Sequence, residues 1–404
     1  MVSGESGARL LRPRGQGTQR VTSMELFFDL VYVFAVTQLS HLLLEDLSVR
    51  GAARTLLLLL AVWWAWVYNA WFTNWFDPDG RVVRLVLVGL MLASLIMSAT
   101  LPEAFGERGL FFAGAFVAMQ VGRTIFIIPS LRAEPALRRN FQRILAWVAT
   151  AGVLWLAGGL AHEAARVGLW VAALVVDYAG PVCGFFCPGL GRSQTTDWTI
   201  TGGHIAERCQ LFLIIALGES ILVIGATFGG LPLSAGGIAA FVVAFLGSVL
   251  LWWVYFDRSA EDSSAVIASA ADPGRLGRSA YTYFHLPMVA GVIVAAVGDE
   301  LTIAHPGGHG SAAVTATVLG GPALFLAGHV LFKREVFGRL SVPRLVALAA
   351  LAALVPLGLV GPPLLLATAA TLVLAAVARS DTLTGRRILE ARAGREQPPA
   401  SERT

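Results

Sequence analysis

The sequence predicts an all-α integral membrane protein of about twelve transmembrane helices, and three observations predict it. The 404 residues are 56% hydrophobic and only 14% charged, where a soluble domain carries about 25% charged residues. Apolar residues fall in runs of about 20, the length that crosses hydrocarbon as a helix, and not in the alternating ~10-residue segments of a membrane β-barrel. Arginine and lysine collect in alternate loops, as the positive-inside rule requires when both chain ends lie in the cytoplasm.

Taken in order, apolar runs place helices over about 24–44, 52–72, 82–101, 109–130, 141–161, 166–184, 206–229, 235–256, 279–298, 312–332, 341–359 and 361–378. The last two are divided by Gly361-Pro362-Pro363 and could instead form one re-entrant hairpin. Residues 1–20, rich in Gly, Ser and Arg, read as a disordered basic cytoplasmic arm, and 379–404, with Gln397-Pro398-Pro399, as a disordered cytoplasmic tail. Between them lie a first membrane half, 21–205, and a second, 206–378.

With the two ends on one side, that side receives Arg81, Arg84, Arg132, Arg138, Arg139, Arg143, Arg192, Arg258, Arg275, Arg278, Lys333, Arg334, Arg339 and Arg344. The other side keeps Arg50, Arg54, Arg108 and Arg166. This asymmetry predicts a bacterial cytoplasmic membrane protein with both termini inside, and an even number of spans. The net charge of +4 is then accounted for by topology and contact with anionic membrane lipids, with no nucleic-acid partner.

Other classes are excluded by what is missing. No apolar core follows the first basic residues, so a cleavable signal peptide is not expected. Cys183, Cys187 and Cys209 are too few for a disulfide framework, and no histidine pair near them completes a zinc set. The glycines around Gly203 and Gly307-Gly308 match neither a P-loop nor a dinucleotide fingerprint.

Function is sought in the ionisable residues inside the apolar stretches: Glu25, Asp29, Asp177, Glu207 and Glu219, with Arg123 and Arg208. Each such group costs at least ~2.5 kcal/mol at the bilayer centre, so each should face a partner or a wet cavity. At about 100° per residue, Glu25, Asp29, Tyr32 and Ser40 share roughly an 80° sector of the first helix, with Thr37 and His41 on the adjoining strip. His204, Glu207, Arg208 and Glu219 occupy about 120° of the seventh, Glu207 and Glu219 being ~18 Å apart along the axis. Adjacent Glu207 and Arg208 point about 100° apart, so each should meet another helix; for Arg208 the expected partner is the Glu25 and Asp29 face.

The stretch Glu25-Leu-Phe-Phe-Asp29-Leu-Val-Tyr32, followed by Thr37-Gln38-Leu-Ser40-His41, resembles the signature of the bacterial low temperature requirement protein A family. The resemblance continues through Leu101-Pro102-Glu103-Ala104-Phe105, Asp177-Tyr178-Ala-Gly-Pro181, His204-Ile-Ala-Glu207-Arg208, Ala216-Leu-Gly-Glu219-Ser220, Trp252-Trp253-Val-Tyr255-Phe256-Asp257, His285-Leu-Pro287 and Gly320-Gly321-Pro322. Cys209-Gln210 stands where the family has histidine and glycine. The resemblance implies a polytopic bacterial membrane protein and names candidate residues, without naming a reaction.

A weak internal match relates the two halves. Glu25 opens the first helix and Glu207 the seventh; twelve positions on stand Thr37-Gln38 and Glu219-Ser220, and the next helices carry Trp63-Trp64 and Trp252-Trp253, ending at Asp77 and Asp257. Such a match would set out two parallel six-helix halves about an axis along the membrane normal. Trp63, Trp64 and Trp66 lie deeper than an interfacial belt and either pack the bundle or line a cavity.

Two functions follow. The first is a transporter or permeation protein whose Glu25, Asp29, Gln38, His41, Asp177, His204, Glu207, Arg208, Glu219, Ser220 and His285 bind an ion, protons or a small-molecule substrate. The alternative is an intramembrane enzyme acting on a lipid or isoprenoid diphosphate, with Asp77, Asp79, Asp257 and Glu261 holding Mg²⁺ beside the aromatic wall, although those acids also suit a solvated loop. His285, before Pro287, reads most simply as the partner of a carbonyl freed by a kink. A structural or sensory role is a third class the residues leave open.

Overall fold

A computed structural model describes residues 10–12, 20–257 and 259–396. Of the arm expected to be disordered, residues 1–9 and 13–19 lie outside the described residues, as do Arg258 and the end of the tail, 397–404.

Twelve candidate spans cross the bundle. They are α1 (Ser23–Glu45), α2 (Val49–Trp75), α3 (Arg81–Ala99), α4 (Gly109–Leu131), α5 (Pro135–Leu160), α6 (Glu163–Val182), α7 (Gly202–Gly229), α8 (Ala235–Phe256) with its continuation α9 (Ser259–Ala268), α10 (Pro273–Ala304), α11 (Ala312–Phe337), α12 (Val342–Val360) and α13 (Pro363–Thr384). No β-strand occurs among the described residues; only isolated bridges, such as Leu11 to Phe76, do. The expected fold class is therefore observed. An even number of spans brings the start of α1 and the end of α13 to one face of the bundle, called here the terminal face.

Local chemistry explains where spans begin and end. Thr22 and Glu25 form a reciprocal capping box at α1, and Ser48, Ser234 and Ser311 accept backbone N–H bonds at the starts of α2, α8 and α11. Gly338, at φ 70°, closes α11 in the left-handed conformation that glycine adopts without strain. Proline opens α5 and α12, where a missing N–H costs nothing.

Several expected boundaries move. Where a loop is expected after residue 256, Ser259–Ala268 is helical as α9, which lies along α7 through Gln210 Nε2 donating to the Ala260 carbonyl at 3.0 Å. α10 starts at Pro273 and ends at Ala304, so Asp299 and Glu300 belong to its last turns and not to a loop. The last two spans are separate helical segments, each long and apolar enough to cross a membrane, the first with a break at Leu354. Helix also continues past the expected end at 378, to Glu396, through a segment of good helix formers.

α10 and α11 make the closest helix pair. A Cβ on Gly291 would fall 2.5 Å from the Phe325 nitrogen, and one on Gly321 2.5 Å from the Ala295 nitrogen. Small residues at this seam let the two backbones touch, which is how helices associate where lipid removes the hydrophobic drive. Each half of the chain repeats one order of neighbours: α1 packs on α2 and α3, α3 on α4, α4 on α5, α5 on α6 and α6 back on α2. In the second half α7 packs on α8 and α10, α10 on α11, α11 on α12, α12 on α13 and α13 back on α8. α1 meets α7 and α10 in the middle.

Candidate functional site

The contact of α1 with α7 holds a cluster of fully buried charge. Glu25, Asp29, His204 and Arg208 are each 0% exposed. Arg208 Nη2 donates to Asp29 Oδ1 at 2.7 Å, and its Nη1 lies 3.5 Å from Glu25 Oε1. The expected pairing of Arg208 with the first-helix acids is present. Trp66 Nε1 donates to the same Asp29 oxygen at 2.8 Å, and its ring lies under the guanidinium, 5.9 Å from centroid to Cζ. Asp29 Oδ2, Arg208 Nε and Arg208 Nη1 have no hydrogen-bond partner.

His204 joins the other acid. The Asn74 amide is fixed by Thr201, donating to its carbonyl at 2.9 Å and accepting from its N–H at 2.9 Å. Its Nδ2 therefore faces His204 Nδ1, 3.1 Å away, as a donor. That assigns the neutral imidazole's proton to Nε2, which donates to Glu25 Oε1 at 2.8 Å. The second Glu25 oxygen accepts from the Thr22 N–H at 2.8 Å.

Arg12 completes the cluster from outside the bundle. Leu10 and Leu11 lie along the end of α2, with Asp77 N–H donating to the Leu10 carbonyl and Arg12 N–H to the Trp75 carbonyl. The Arg12 side chain donates to the Thr73 carbonyl at 3.0 Å and lies 3.6 Å from Glu25 Oε2; its Nη1 is 2.8 Å from His204 Nε2, a donor-to-donor contact in this tautomer and not a hydrogen bond. With Nε2 protonated, guanidinium and imidazole both address Glu25. Two carboxylates and two guanidiniums thus balance at the terminal-face mouth, and part of the arm expected to be disordered has a defined place. Glu207 lies at this mouth too, accepting from the Val21 N–H at 3.1 Å.

Toward the opposite face the same helices carry a second polar group. Glu219, 3% exposed, lies near Thr37 and His41, and His41 near Glu300 of α10; the Thr37 hydroxyl donates to the Val33 carbonyl at 3.0 Å. Ser40 and Ser220 are buried with hydroxyls that meet no partner, while Gln38 is half-buried. Between the two groups stands an aromatic layer: Tyr32 and Phe212, 6.2 Å apart, with Trp63 and Trp66 on Phe212 at 5.4 and 4.3 Å.

The remaining expected residues lie elsewhere. Asp177 is buried in the first half and accepts from Trp155 Nε1 at 3.0 Å. His285 Nδ1 meets the Ala280 carbonyl at 3.0 Å, so Nε2 accepts from the Tyr255 hydroxyl at 2.7 Å; the imidazole satisfies a carbonyl at a helix irregularity, as expected. The acids assigned to Mg²⁺ are not brought together. Asp77 and Asp79 form a turn tied to Arg84, whereas Asp257 is exposed near Thr382 and Glu261 is exposed on α9. Among the described residues no three His, Cys, Asp or Glu side chains converge as a metal site.

Two arginines expected in loops are buried. Arg344, 0% exposed, binds Asp381 at 2.7 Å, His329 Nδ1 at 3.2 Å and the Val254 carbonyl at 3.2 Å. It lies in the first turn of α12 and so faces inward; a basic residue after Pro343 looks like loop when only the charge pattern is read. Arg166 binds the Gly158, Ala161, Ala104 and Gly106 carbonyls, satisfying oxygens that helix ends leave free.

The family model described as bacterial low temperature requirement A protein (LtrA) matches residues 20–379. The chain belongs to the LtrA family. Its sequence is also 40% identical over 332 residues to an uncharacterized protein, RA0937, of Rhizobium meliloti (strain 1021), covering 82% of this chain and 81% of that one. No solved structure matches. In this LtrA protein the stretch from Glu25 to Tyr32 and the stretch from His204 to Arg208 are the two sides of the buried charge cluster, and Gly320-Gly321-Pro322 belongs to the α10–α11 seam. Sequence reading missed Arg12, Asn74, His329 and Asp381, and it singled out Trp66 for packing or a cavity wall but not as the donor to Asp29. A polar Asn74 within the tryptophan run was the only local signal; the others become partners through folding alone.

Proposed function

We propose that this LtrA protein is a permeation protein of the bacterial cytoplasmic membrane, with both ends in the cytoplasm, that moves protons, a cation or a small substrate along the α1–α7 seam. The observation that carries this reading is the placement of two ionisable stations on the same two helices, Glu25, Asp29, His204 and Arg208 at one level and Glu219 with His41 at another. Arg208 and Glu219 are about 16 Å apart along the axis at 1.5 Å per residue. Intramembrane charge placed this way marks a pathway more often than packing.

The chemistry available is an exchange of partners. Asp29 holds Arg208 through one oxygen and leaves the other unpartnered. A proton arriving at Asp29 weakens that bond, and the guanidinium can then turn to Glu25, already 3.5 Å from Nη1. The repeated order of neighbours in the two halves suits a duplicated architecture in which halves rock about a central site. An intramembrane enzyme is less well supported, because among the described residues the acids assigned to Mg²⁺ do not converge and the aromatic cavity beside α2, about 60 Å³, is too small for an isoprenoid chain.

The test is reconstitution in liposomes carrying a pH dye. Under an imposed potential the protein should conduct protons, or couple them to an added substrate, while Asp29→Asn and Glu219→Gln, compared as folded protein after reconstitution, lose the flux. Full flux in both variants would make these carboxylates packing groups and refute the proposal.

A further inference from the structure

Between α2, α4 and α10 lies a cavity of about 60 Å³ lined by Trp64, Tyr68 and Trp71 of α2, Arg123 of α4, and Arg278 and Thr282 of α10. That volume has room for roughly four atoms the size of water. Arg123 is 3% exposed and forms no ion pair among the described residues. Its contacts are one hydrogen bond to Gln120 Oε1 at 3.0 Å and the faces of Tyr68 and Phe72, 5.3 and 6.0 Å from Cζ. A guanidinium stays charged when buried, so it calls for an anion that the described residues do not supply.

The polar atoms around it are unpartnered in one sense only. Trp71, Trp75 and Trp198 donate their indole N–H groups to Thr282 Oγ1, the Thr199 carbonyl and Ser193 Oγ. Arg278 Nη1 donates to the Pro181 carbonyl. Arg123 Nη1, Tyr68 Oη, Trp64 Nε1 and Gln120 Nε2 are buried with no partner, and every one of them can donate. No acidic side chain lines the cavity.

The backbone is irregular at the same place. Of the two π-helical segments, Ala118–Gly122 carries Gln120 and ends directly before Arg123, and Gly277–Tyr283 carries Arg278 and Thr282. Such bulges in spanning helices re-aim side chains and recur at functional sites. Two of them, from opposite halves of the chain, present the two arginines to one cavity.

We infer that this cavity binds a small planar oxyanion such as a carboxylate. Arg123 would grip it through the fork of guanidinium donors, Tyr68 and Trp64 would donate to its oxygens, and the aromatic walls would receive its flat faces. This site is separate from the α1–α7 seam, and its existence does not depend on transport.

The experiment titrates the purified full-length protein with sodium acetate, and in parallel with the neutral isostere acetamide at constant ionic strength, following tryptophan fluorescence. The tryptophans of the cavity wall make occupancy visible. Acetate should give a saturable change and acetamide none. Arg123→Gln should raise the half-saturating acetate concentration about tenfold to a hundredfold, the loss of one charge-assisted hydrogen bond. Tyr68→Phe should raise it about two- to tenfold without lowering thermal stability, because its hydroxyl has no protein partner to lose. Arg54→Gln, outside the cavity, should leave it unchanged. Equal responses to acetate and acetamide, or unaltered acetate binding in the folded Arg123→Gln protein, would overturn the assignment. Should Arg123→Gln fail to fold, the decision passes to Tyr68→Phe: unchanged acetate binding there overturns it.

Discussion

Arg208→Gln removes the one group that contacts both buried acids of α1. Asp29 then keeps only the Trp66 N–H, and Glu25 keeps His204, Thr22 and the more distant Arg12. Asp29 is 0% exposed, so no water replaces the lost guanidinium. Breaking a buried pair from one side costs about 3–5 kcal/mol, because a charge is left without its counter-charge. Asp29→Asn alone should cost about as much, leaving Arg208 with Glu25 at 3.5 Å and no close partner. If the two effects were independent, Arg208→Gln with Asp29→Asn would lose about 6–10 kcal/mol. The pair instead predicts that the double variant is more stable than either single one and within about 2 kcal/mol of the native protein, since two amides can hydrogen-bond where two charges stood. The assay is a double-mutant cycle on detergent-solubilised protein, read from the midpoint of denaturation in mixed micelles. Additive losses would show that the two side chains do not compensate each other and would refute the reasoning.

Further outcomes follow from the same structure. Arg84→Gln breaks an ion pair to Asp79 whose side chains are 53% and 65% exposed, and should change stability by less than about 1 kcal/mol in the same assay. Gly291→Leu should prevent accumulation of folded protein, because even a Cβ meets the Phe325 backbone, whereas Gly320→Ala meets nothing within 4 Å and should be silent by size-exclusion profile. Single cysteines at 132 and 339 should react with a membrane-impermeant maleimide from one side, and cysteines at 107 and 307 from the other; reaction of 132 and 339 from opposite sides would overturn the span count.

The fold was legible because hydropathy and length decide a membrane helix with little help from tertiary contacts. The same reasoning explains where boundaries slipped. Asp299 and Glu300 look like loop to a hydropathy scan, yet helix hydrogen bonds carry α10 past them to Ala304. Asp257 looked like a chain end because charge follows the aromatic run, and α9 continues the path beyond it. Arg208 facing Glu25 and Asp29 could be expected because adjacent helical residues diverge by about 100°. Arg12 could not, since nothing local distinguishes it from the other arginines of the arm and its partner Glu25 enters only through the fold.

Charge compensation separates Arg344, Arg208 and Arg123, three of the four arginines buried among the described residues, more clearly than sequence position does. Arg344 has Asp381 at 2.7 Å, His329, the Ser341 hydroxyl and the Val254 carbonyl, and all three of its guanidinium nitrogens are engaged. Such a satisfied group ties α12 to α13 and α8 and has little capacity left for a ligand. Arg208 is intermediate, with its charge matched by Asp29 and Glu25 while two nitrogens lack hydrogen bonds, which is what a partner exchange between those acids requires. Arg123 has no ion-pair partner among the described residues and is surrounded by donors without a hydrogen-bond partner there. In hydrocarbon the cost of each arrangement rises in that order, so the ability to accept something from outside rises in the same order. Packing requirements alone would have favoured three sites of the Arg344 kind.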